Sequence, residues 1–361
     1  MSATTDLLET IRGSESGLTL AELLGRHPSI ARRTAQRLIA KLIESGHITA
    51  QGEGRARRYH ADSESHTEPR IAKVDSFPAF IPLSADSLDI LAYIDQPLPA
   101  RKPVGYQHDF LQAYHPNETC YLSESLRRQL HNMGKTTDID EPAGTYSRAI
   151  LNRLLIDLSW ASSHLEGNTY SRLDTRELIE HGKAARGKGA IETQMILNHK
   201  TAIELLVENI DSAEFNRYTL MNLHSALAEN LLPNPADEGR IRQHAVDISK
   251  SIYRPLSTAQ QIEEVLDEVL SKANQIHDPF EQSFFMMVHL PYLQPFADIN
   301  KRTSRLAANL PLFRGNLCPL TFLDVPEQAY SRATLGVYEM ARIELLRLSL
   351  IHISEPTRRT P

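Results

Sequence analysis

Cysteine and tryptophan are scarce in this chain of 361 residues, which has two cysteines, one tryptophan and 6% aromatic residues. Cys120 and Cys318 are far apart, without His or Cys at metal-ligand spacing, so neither a disulfide framework nor a zinc site is predicted. We expect both cysteines to be buried apolar side chains. No apolar run approaches the ~20 residues of a membrane-spanning helix, and residues 1–13 lack the features of a secretory signal. We therefore expect a cytoplasmic protein without a membrane partner.

Apolar and charged residues are present at the levels of a globular protein, 41% and 23%, and the length favours more than one domain. The charge is unevenly distributed. Residues 26–60 carry a net charge of +6 and residues 61–361 a net charge of −9, within a total of −6. A local basic patch on an acidic chain is typical of a polyanion-binding module joined to another domain.

Residues 1–62 predict a small module of three helices and a hairpin. A short helix near Leu7 precedes a helix over Leu20–Leu24 with Thr19 as its cap, and a third helix follows Ser29. Alternation on both sides of a Gly-Glu-Gly turn then predicts a β-hairpin. This order resembles the winged helix-turn-helix family, in which the third helix enters the major groove of DNA and the hairpin contacts the neighbouring backbone.

This resemblance implies duplex DNA as a partner of residues 1–62. The contacts would come from basic side chains of the third helix and the hairpin: Arg32, Arg33, Arg37, Lys41, Arg55, Arg57 and Arg58. The alternatives are a solvated basic surface or a winged helix that contacts protein. Residues 61–75 lack an apolar period, and residues 63–82 are predicted to be a linker.

From Leu83 onward the predicted fold class is mainly α, with a helical extension over residues 83–145 and a helical bundle over residues 146–347. Apolar periods of 3.6 residues predict helices over Ser147–Ser162, Asp174–His181, Ile191–Ile210, Tyr218–Leu231, Thr258–Ile276, Glu281–Leu293, Arg302–Phe313 and Glu327–Leu346. Gly239–Pro255 instead alternates with a period of two, which predicts a short β-hairpin. Residues 348–361 match the translation of a sequencing-library adapter, and we expect them to be a non-native tail.

The segment from Gln294 to Arg305 reads Gln-Pro-Phe-Ala-Asp-Ile-Asn-Lys-Arg-Thr-Ser-Arg. A loop with one carboxylate, Asp298, leads into a helix that starts near Asn300. Free backbone N–H groups at a helix start bind anions, and Arg302 and Arg305 lie three residues apart on one face. Asp298 is placed to hold Mg²⁺ against phosphate oxygens. The segment therefore predicts a site for a nucleotide polyphosphate.

The same segment resembles the core motif of the Fic (Fido) family, H-x-F-x-[DE]-G-N-G-R-x-x-R. The resemblance implies a helical bundle with a β-hairpin flap that transfers AMP from Mg-ATP to a Ser, Thr or Tyr hydroxyl of a target protein or of the chain itself. It implies that Asp298 binds Mg²⁺ and that four residues contact ATP: Asn300, Lys301, Arg302 and Arg305. A homodimer is compatible with this assignment.

The predicted hairpin matches the flap of this family, which binds the target backbone by strand addition. The flap residues would be Gly239, Arg240, Ile248 and Tyr253.

A second family signature lies upstream, where Ser162-Ser-His-Leu-Glu166-Gly167 fits the inhibitory motif [ST]-x-x-x-E-[GN]. In the family this glutamate forms a salt bridge with the second arginine of the core motif, here Arg305, and blocks the γ-phosphate. The upstream position is that of the class inhibited by its own preceding helix.

Three positions depart from the family motif. Gln294 replaces the catalytic histidine, and a neutral amide cannot act as a general base; His289, five residues earlier, is expected in the core. Ile299 replaces the first glycine. Lys301 replaces the second, as in the Doc branch, whose motif is tied to a reversed ATP pose and γ-phosphoryl transfer but lacks the equivalent of Arg305.

Two functions therefore stay open. One is an AMP- or phosphate-transferase inhibited by Glu166. The other is a catalytically impaired, nucleotide-sensing, DNA-binding transcriptional regulator.

Overall fold

The structure, a computed structural model, describes residues 7–8, 10–11, 13–14, 17–28, 30, 32–44, 48–52, 57–61, 77, 81, 83–136 and 140–353. The chain divides into two compact units, Met1–Val74 and Asp75–Pro361.

The first unit combines helices α1 (Leu20–Arg26) and α2 (Arg32–Glu44) with an antiparallel sheet of order β1-β3-β2. The strands are β1 (Leu18–Thr19), β2 (Ile48–Gln51) and β3 (Arg58–Ala61). Thr19 caps α1 as predicted, because its side chain accepts from the Glu22 N–H while the Glu22 carboxylate accepts from the Thr19 N–H. Pairing of β2 with β3 agrees with the predicted hairpin, whereas β1 had no sequence signal.

The second unit is mainly helical. Its helices are α3 (Ala85–Ile94), α4 (His108–Gln112), α5 (Glu124–Gly134), α6 (Thr145–Ala149), α7 (Leu151–His164), α8 (Arg172–His181), α9 (Ala190–Glu208), α10 (Arg217–Ala228), α11 (Ala259–Gln275), α12 (Pro279–Leu293), α13 (Asn300–Ala307), α14 (Leu310–Arg314), α15 (Glu327–Met340) and α16 (Glu344–Ile353). Strands β4 (Val104–Gly105) and β5 (Tyr253–Arg254) form a short parallel pair. No helix among the described residues is long and apolar enough to cross a membrane.

Helix α12 forms the centre of this unit. Its sequence is apolar around most of its circumference, which is typical of a helix buried on all sides, and from Ser283 to Leu293 every residue is buried. It packs against α11, α13 and α14. Its first turn is capped by Asp278, whose carboxylate accepts from two backbone N–H groups. The loop that follows α12 is therefore attached to a helix that is buried in the core.

Two predicted helices are each divided in the structure. Residues 302–313 form α13 and α14, separated at Asn309, whose side-chain amide binds the carbonyl groups of Arg305 and Leu320. Residues 327–346 form α15 and α16, because Ala341 adopts φ +52° and ends α15. Helix α16 then continues to Ile353, past the predicted start of the tail, and residues 354–361 lie outside the described part.

The predicted β-hairpin over Gly239–Pro255 was wrong. Between residues 239 and 252 no residue is in a strand, and the strand at Tyr253–Arg254 pairs with β4 instead. The reason is Arg242, a fully buried side chain that donates to the carbonyl groups of Gln294, His244 and Leu256. The His244 carbonyl lies within the predicted hairpin and the Leu256 carbonyl directly after it. Both accept from the guanidinium rather than from a partner strand.

The prediction of buried cysteines was also wrong. Cys120 is exposed and Cys318 is half-buried, and both are free thiols. Cys120 lies in an exposed turn between α4 and α5, which a count of cysteines does not reveal.

Candidate functional site

A cavity of about 800 Å³ lies where the motif loop meets the end of α7, α15 and the segment 246–250. Its walls include Glu166, Gln294, Asp298, Lys301 and Tyr338. The two sequence motifs, separated by more than a hundred residues, therefore meet in one cavity.

The motif loop, residues 294–299, has left-handed backbone at both ends. Gln294 has φ +53° and Ile299 has φ +66°, conformations that cost non-glycine residues ~1–2 kcal/mol. Asn300 holds the loop between them: its Oδ1 accepts from the Phe296 N–H at 2.9 Å and its Nδ2 donates to the Phe296 carbonyl at 3.0 Å and to Gln294 Oε1 at 2.8 Å. Asn300 is thus a loop-fixing residue in this structure, rather than a side chain free for phosphate as expected.

Gln294 is buried, and hydrogen bonds use both ends of its amide. Its Nε2 donates to the Pro291 carbonyl at 2.7 Å and to the Tyr338 hydroxyl at 3.0 Å, and its Oε1 accepts from Asn300. Sequence analysis did not identify Tyr338. His289, the other candidate base, lies in the aromatic core, where its Nε2 is 2.7 Å from the Tyr121 hydroxyl. No proton acceptor for a substrate hydroxyl stands at the position of the family histidine.

Glu166 forms ion pairs with two cations. Its Oε1 lies 2.8 Å from Arg305 Nη2 and its Oε2 lies 2.9 Å from Lys301 Nζ. Burial raises the pKa of the carboxyl group, but the charges of Arg305, Lys301 and Arg302 outweigh burial and lower the pKa to about 2. Glu166 is therefore ionised at neutral pH. The pairing with Arg305 was expected from the motif, and the pairing with Lys301 was not.

Arg305 is fully buried, and the other residue of the inhibitory motif helps to hold it. Its Nε donates to Ser162 Oγ and its Nη2 to the Ser162 carbonyl, both at 3.0 Å. Ser162 Oγ also lies 2.9 Å from His199 Nε2. Burial lowers the pKa of His199 to about 3, so the ring is neutral. Its Nε2 accepts a hydrogen bond from the Ser162 hydroxyl. Ser162 thus connects Arg305 to a histidine that sequence analysis did not find.

Several cationic donors at the start of α13 lack partners. Arg302 is buried, and its Nε and Nη1, like Nη1 of Arg305, have no hydrogen-bond partner among the described residues. Burial lowers the pKa of Arg302. The N-cap residue, Ile299, makes no side-chain cap, and the N–H groups of residues 300–302 have no hydrogen-bond partner among the described residues. Buried unpaired donors beside a helix start favour an anionic ligand.

Asp298 is exposed on the cavity wall, and its Oδ1 accepts from the Ile299 N–H at 2.6 Å. Among the described residues no group of three or more His, Cys, Asp and Glu side chains is placed to bind a metal. The single carboxylate of Asp298 fits Mg²⁺, which proteins commonly bind through one or two carboxylates together with substrate phosphates and water.

The predicted flap residues do not share one edge. Gly239 packs against α10, where a Cβ would lie 2.8 Å from Ser225 Cβ, and Arg240 donates to the carbonyl of residue 236. Ile248 lines the cavity, while Tyr253 is buried, with its hydroxyl donating to the Tyr292 carbonyl.

His224, which the sequence did not indicate, joins this segment to the motif loop. Its Nδ1 accepts from the Gly239 N–H at 3.0 Å, its Nε2 donates to the Asp298 carbonyl at 3.2 Å, and its ring stacks on Phe296.

The predicted DNA-contact residues are only partly described. The side chains of Arg32, Arg33, Arg37 and Lys41, and the whole of Arg55, lie outside the described residues, although α2 carries the first four. Arg57 is exposed. Arg58 has partners within the unit, because its Nη1 donates to the Gly17 carbonyl at 2.8 Å and lies 3.7 Å from the Glu22 carboxylate.

Known proteins resemble part of this chain. It is 28% identical over 179 residues to protein adenylyltransferase fic-1 of Caenorhabditis elegans, covering 48% of this chain and 34% of that protein. It is 26% identical over 242 residues to protein adenylyltransferase Fic of Nematostella vectensis, covering 59% of this chain and 56% of that protein. The chain thus spans about a third to a half of the length of these relatives.

Solved structures give weaker similarity. A fragment of Fic-1 from C. elegans has a TM-score of 0.47 at 21% identity, over 63% of this chain and 68% of that one. A Fic family protein from Desulfovibrio desulfuricans G20 has a TM-score of 0.47 at 17% identity, over 76% and 73%. The model of the Fic/DOC family matches residues 214–312, which include the motif loop and both arginines. Residues 214–312 are therefore similar to a Fic/DOC family domain.

Proposed function

We propose that the protein binds Mg-ATP in this cavity and acts as a protein adenylyltransferase that Glu166 holds inactive. The observation that carries the proposal is the double ion pair of Glu166 with Arg305 and Lys301. A carboxylate that occupies the cations of an anion site competes directly with a phosphate for them. The relatives named protein adenylyltransferases support AMP transfer as the reaction class.

ATP would place its phosphates against the start of α13. Arg302 and, once Glu166 moves away, Arg305 would donate to phosphate oxygens. Asp298 would hold Mg²⁺, which would neutralise phosphate charge when bound. The target would supply a Ser, Thr or Tyr hydroxyl and would lie along residues 243–250, an exposed stretch beside the cavity. Residues 146–347 would form the catalytic domain and residues 83–145 its helical extension.

A nucleotide sensor without turnover is the second candidate, and Gln294 favours it. Its amide is held by Pro291, Tyr338 and Asn300, so it neither removes a proton nor turns freely. Loss of a general base commonly costs ~100 to 10,000-fold in rate. In this alternative ATP binding alone would change the state of the protein, and a transcriptional regulator would read it.

The test compares wild type, Glu166→Gly and Glu166→Gly with Gln294→His. ATP affinity is measured by calorimetry and label transfer with α- and γ-labelled ATP. We expect Glu166→Gly to tighten ATP binding by about tenfold or more, because two cations become available. Glu166→Gln, which keeps the side-chain shape without the charge, is the matched control and should give an intermediate gain.

The label distinguishes the candidates. Transfer of α label by the single variant supports adenylylation despite Gln294, and γ label supports the Doc-like pose associated with Lys301. Tighter binding with transfer only after histidine is restored supports the sensor. Unchanged binding in Glu166→Gly would show that Glu166 is not inhibitory.

We propose separately that residues 1–62 form a winged helix that binds duplex DNA. The net charge of +6 in residues 26–60, with four basic residues on α2, supports this. Affinity of the full chain for labelled duplex should fall steeply between two salt concentrations. Arg33→Ala with Arg37→Ala should weaken binding and reduce the salt slope by ~2, whereas Arg128→Ala, an exposed site in the second unit, should not. Binding that the double change leaves intact would favour the protein-contact alternative.

A further inference from the structure

A buried ion pair lies at the end of the segment 246–250, which lines the cavity. Arg101, just before β4, donates from Nη1 to Glu339 Oε1 on α15 at 2.7 Å, and the two side chains are 4% and 0% exposed. Both residues lie outside the range 214–312 that matches the family model.

The pair also binds the backbone after the segment 246–250. Arg101 Nη2 donates to the Lys250 carbonyl at 3.1 Å. Glu339 Oε1 accepts from the Ser251 hydroxyl at 2.8 Å and from the Ile252 N–H at 3.3 Å. Three distant parts of the chain, at residues 101, 250–252 and 339, are therefore fixed at one point.

The segment that this point holds is exposed and has little structure of its own. The backbone N–H groups of residues 243–250 have no hydrogen-bond partner among the described residues, and residues 246–250 form one wall of the cavity. Its other end is held by Arg242, whose backbone N–H donates to the Pro295 carbonyl at 3.1 Å. Within the segment, Ile248 packs against the core and Asp247 pairs with Arg254, so the two attachments hold its ends while these two side-chain contacts hold its middle.

Stability alone is a poor explanation for this pair. Arg101 Nε and Glu339 Oε2 are buried without partners among the described residues. A buried ion pair with unmet groups generally stabilises a fold no better than apolar side chains of the same size. Its geometric effect is specific, because a single carboxylate oxygen accepts from three groups on two chain segments.

We propose that Arg101 and Glu339 are positioning residues that fix the cavity wall at residues 246–250. This proposal rests on the proposed function only in that a target would lie along this wall. The attachment of the wall is tested without ATP. Failure of the adenylyltransferase proposal would leave the test unchanged.

The test is limited trypsin digestion of the full chain, with cleavage after exposed Lys250 as the readout and cleavage after Lys183, in the exposed α8–α9 loop, as the internal reference. Arg101→Met with Glu339→Leu removes the pair without leaving a lone buried charge. We expect cleavage after Lys250 to accelerate roughly tenfold, while cleavage after Lys183 stays constant. Glu339→Gln, which retains an acceptor oxygen, should stay within about threefold of wild type.

Ser251→Ala serves if the double variant does not fold. It removes one bond to Glu339 and should speed hydrogen exchange of residues 246–252 by roughly threefold relative to α12. Unchanged cleavage after Lys250 in a folded double variant, equal acceleration at both trypsin sites, or unchanged exchange in Ser251→Ala would overturn the proposal.

Discussion

Lys301 forms an ion pair with Glu166 and also lies at the proposed phosphate site, and these two roles would have opposite effects on ATP affinity. Lys301→Met keeps the aliphatic stem and removes the charge. If Lys301 contacts phosphate, the change weakens ATP binding. If Lys301 also restrains Glu166, the change lets ATP displace Glu166 more easily and offsets part of that loss. A single variant cannot separate these effects, but a double-mutant cycle with Glu166→Gly can.

The size of the coupling follows from the geometry. At 2.9 Å a pair of unit charges attracts by about 1.4 kcal/mol in bulk water and by more in a protein. The lysine side chain is 33% exposed and the glutamate 16%, so screening and side-chain entropy reduce the net value to about 1 kcal/mol. This corresponds to roughly fivefold in Kd. Lys301→Met should therefore weaken ATP binding about fivefold more in the Glu166→Gly background than in wild type.

Calorimetric titration of ATP into the four proteins of the cycle measures this difference. Lys135→Met, an exposed lysine at the end of α5, is the control for loss of a positive charge and should show no coupling. Equal effects of Lys301→Met in both backgrounds would refute the reasoning, because the contact would then contribute nothing to holding Glu166.

Three further predictions concern stability in urea. Ser162→Ala should lower the free energy of unfolding by about 1–3 kcal/mol, because it leaves Nε of buried Arg305 unpaired. The control is Ser159→Ala on the same helix, which removes a buried hydroxyl that has no partner among the described residues and should cost much less. Equal costs of the two changes would contradict the role of Ser162. The pKa of Glu166 is about 2 in the folded chain against an ordinary 4.5, so the stability that its ion pairs contribute is present above about pH 4.5 and is lost as the pH falls toward 2. Between pH 6 and pH 3, Glu166→Gln should therefore lose less stability than wild type. Equal losses in the two proteins would exclude the ion pairs as the cause. Arg242→Met should cost about 3 kcal/mol or more, since three backbone carbonyl groups lose a donor, and a loss below about 1 kcal/mol would show that water replaces it.

Sequence patterns predicted the features of the fold that depend on interactions between residues close in the chain. The helices of the second unit follow apolar periods, and Thr19 caps α1 because its partner lies only three residues away. The meeting of Glu166 with Arg305 was predicted from a motif rather than from periodicity, since the residues are 139 positions apart. No sequence signal of either kind exists for Arg101 and Glu339, 238 positions apart.

The wrong hairpin shows where periodicity misleads. Alternation between residues 239 and 255 placed Arg242 on one face of a strand, and the period alone does not reveal that a guanidinium is buried. Burying an unpaired guanidinium is costly, and Arg242 avoids that cost by donating to three backbone carbonyl groups. These bonds hold the chain around Arg242 in an irregular conformation in place of a regular ladder.

The departures from the family motif are concentrated in the loop and the first turn of α13, and they have a common structural consequence. Ile299 keeps the left-handed backbone that glycine would adopt without strain, and the Asn300 side chain fixes the loop through three hydrogen bonds. In the proposed function the loop would thus present the first N–H groups of α13 to a phosphate, although the residue at the proton-accepting position is an amide. The proposed anion site would be retained at a cost in backbone strain, whereas the group needed for proton transfer is not. Selection for nucleotide binding alone would account for both observations, which makes the variant with histidine restored at residue 294 the decisive protein in the transfer assay.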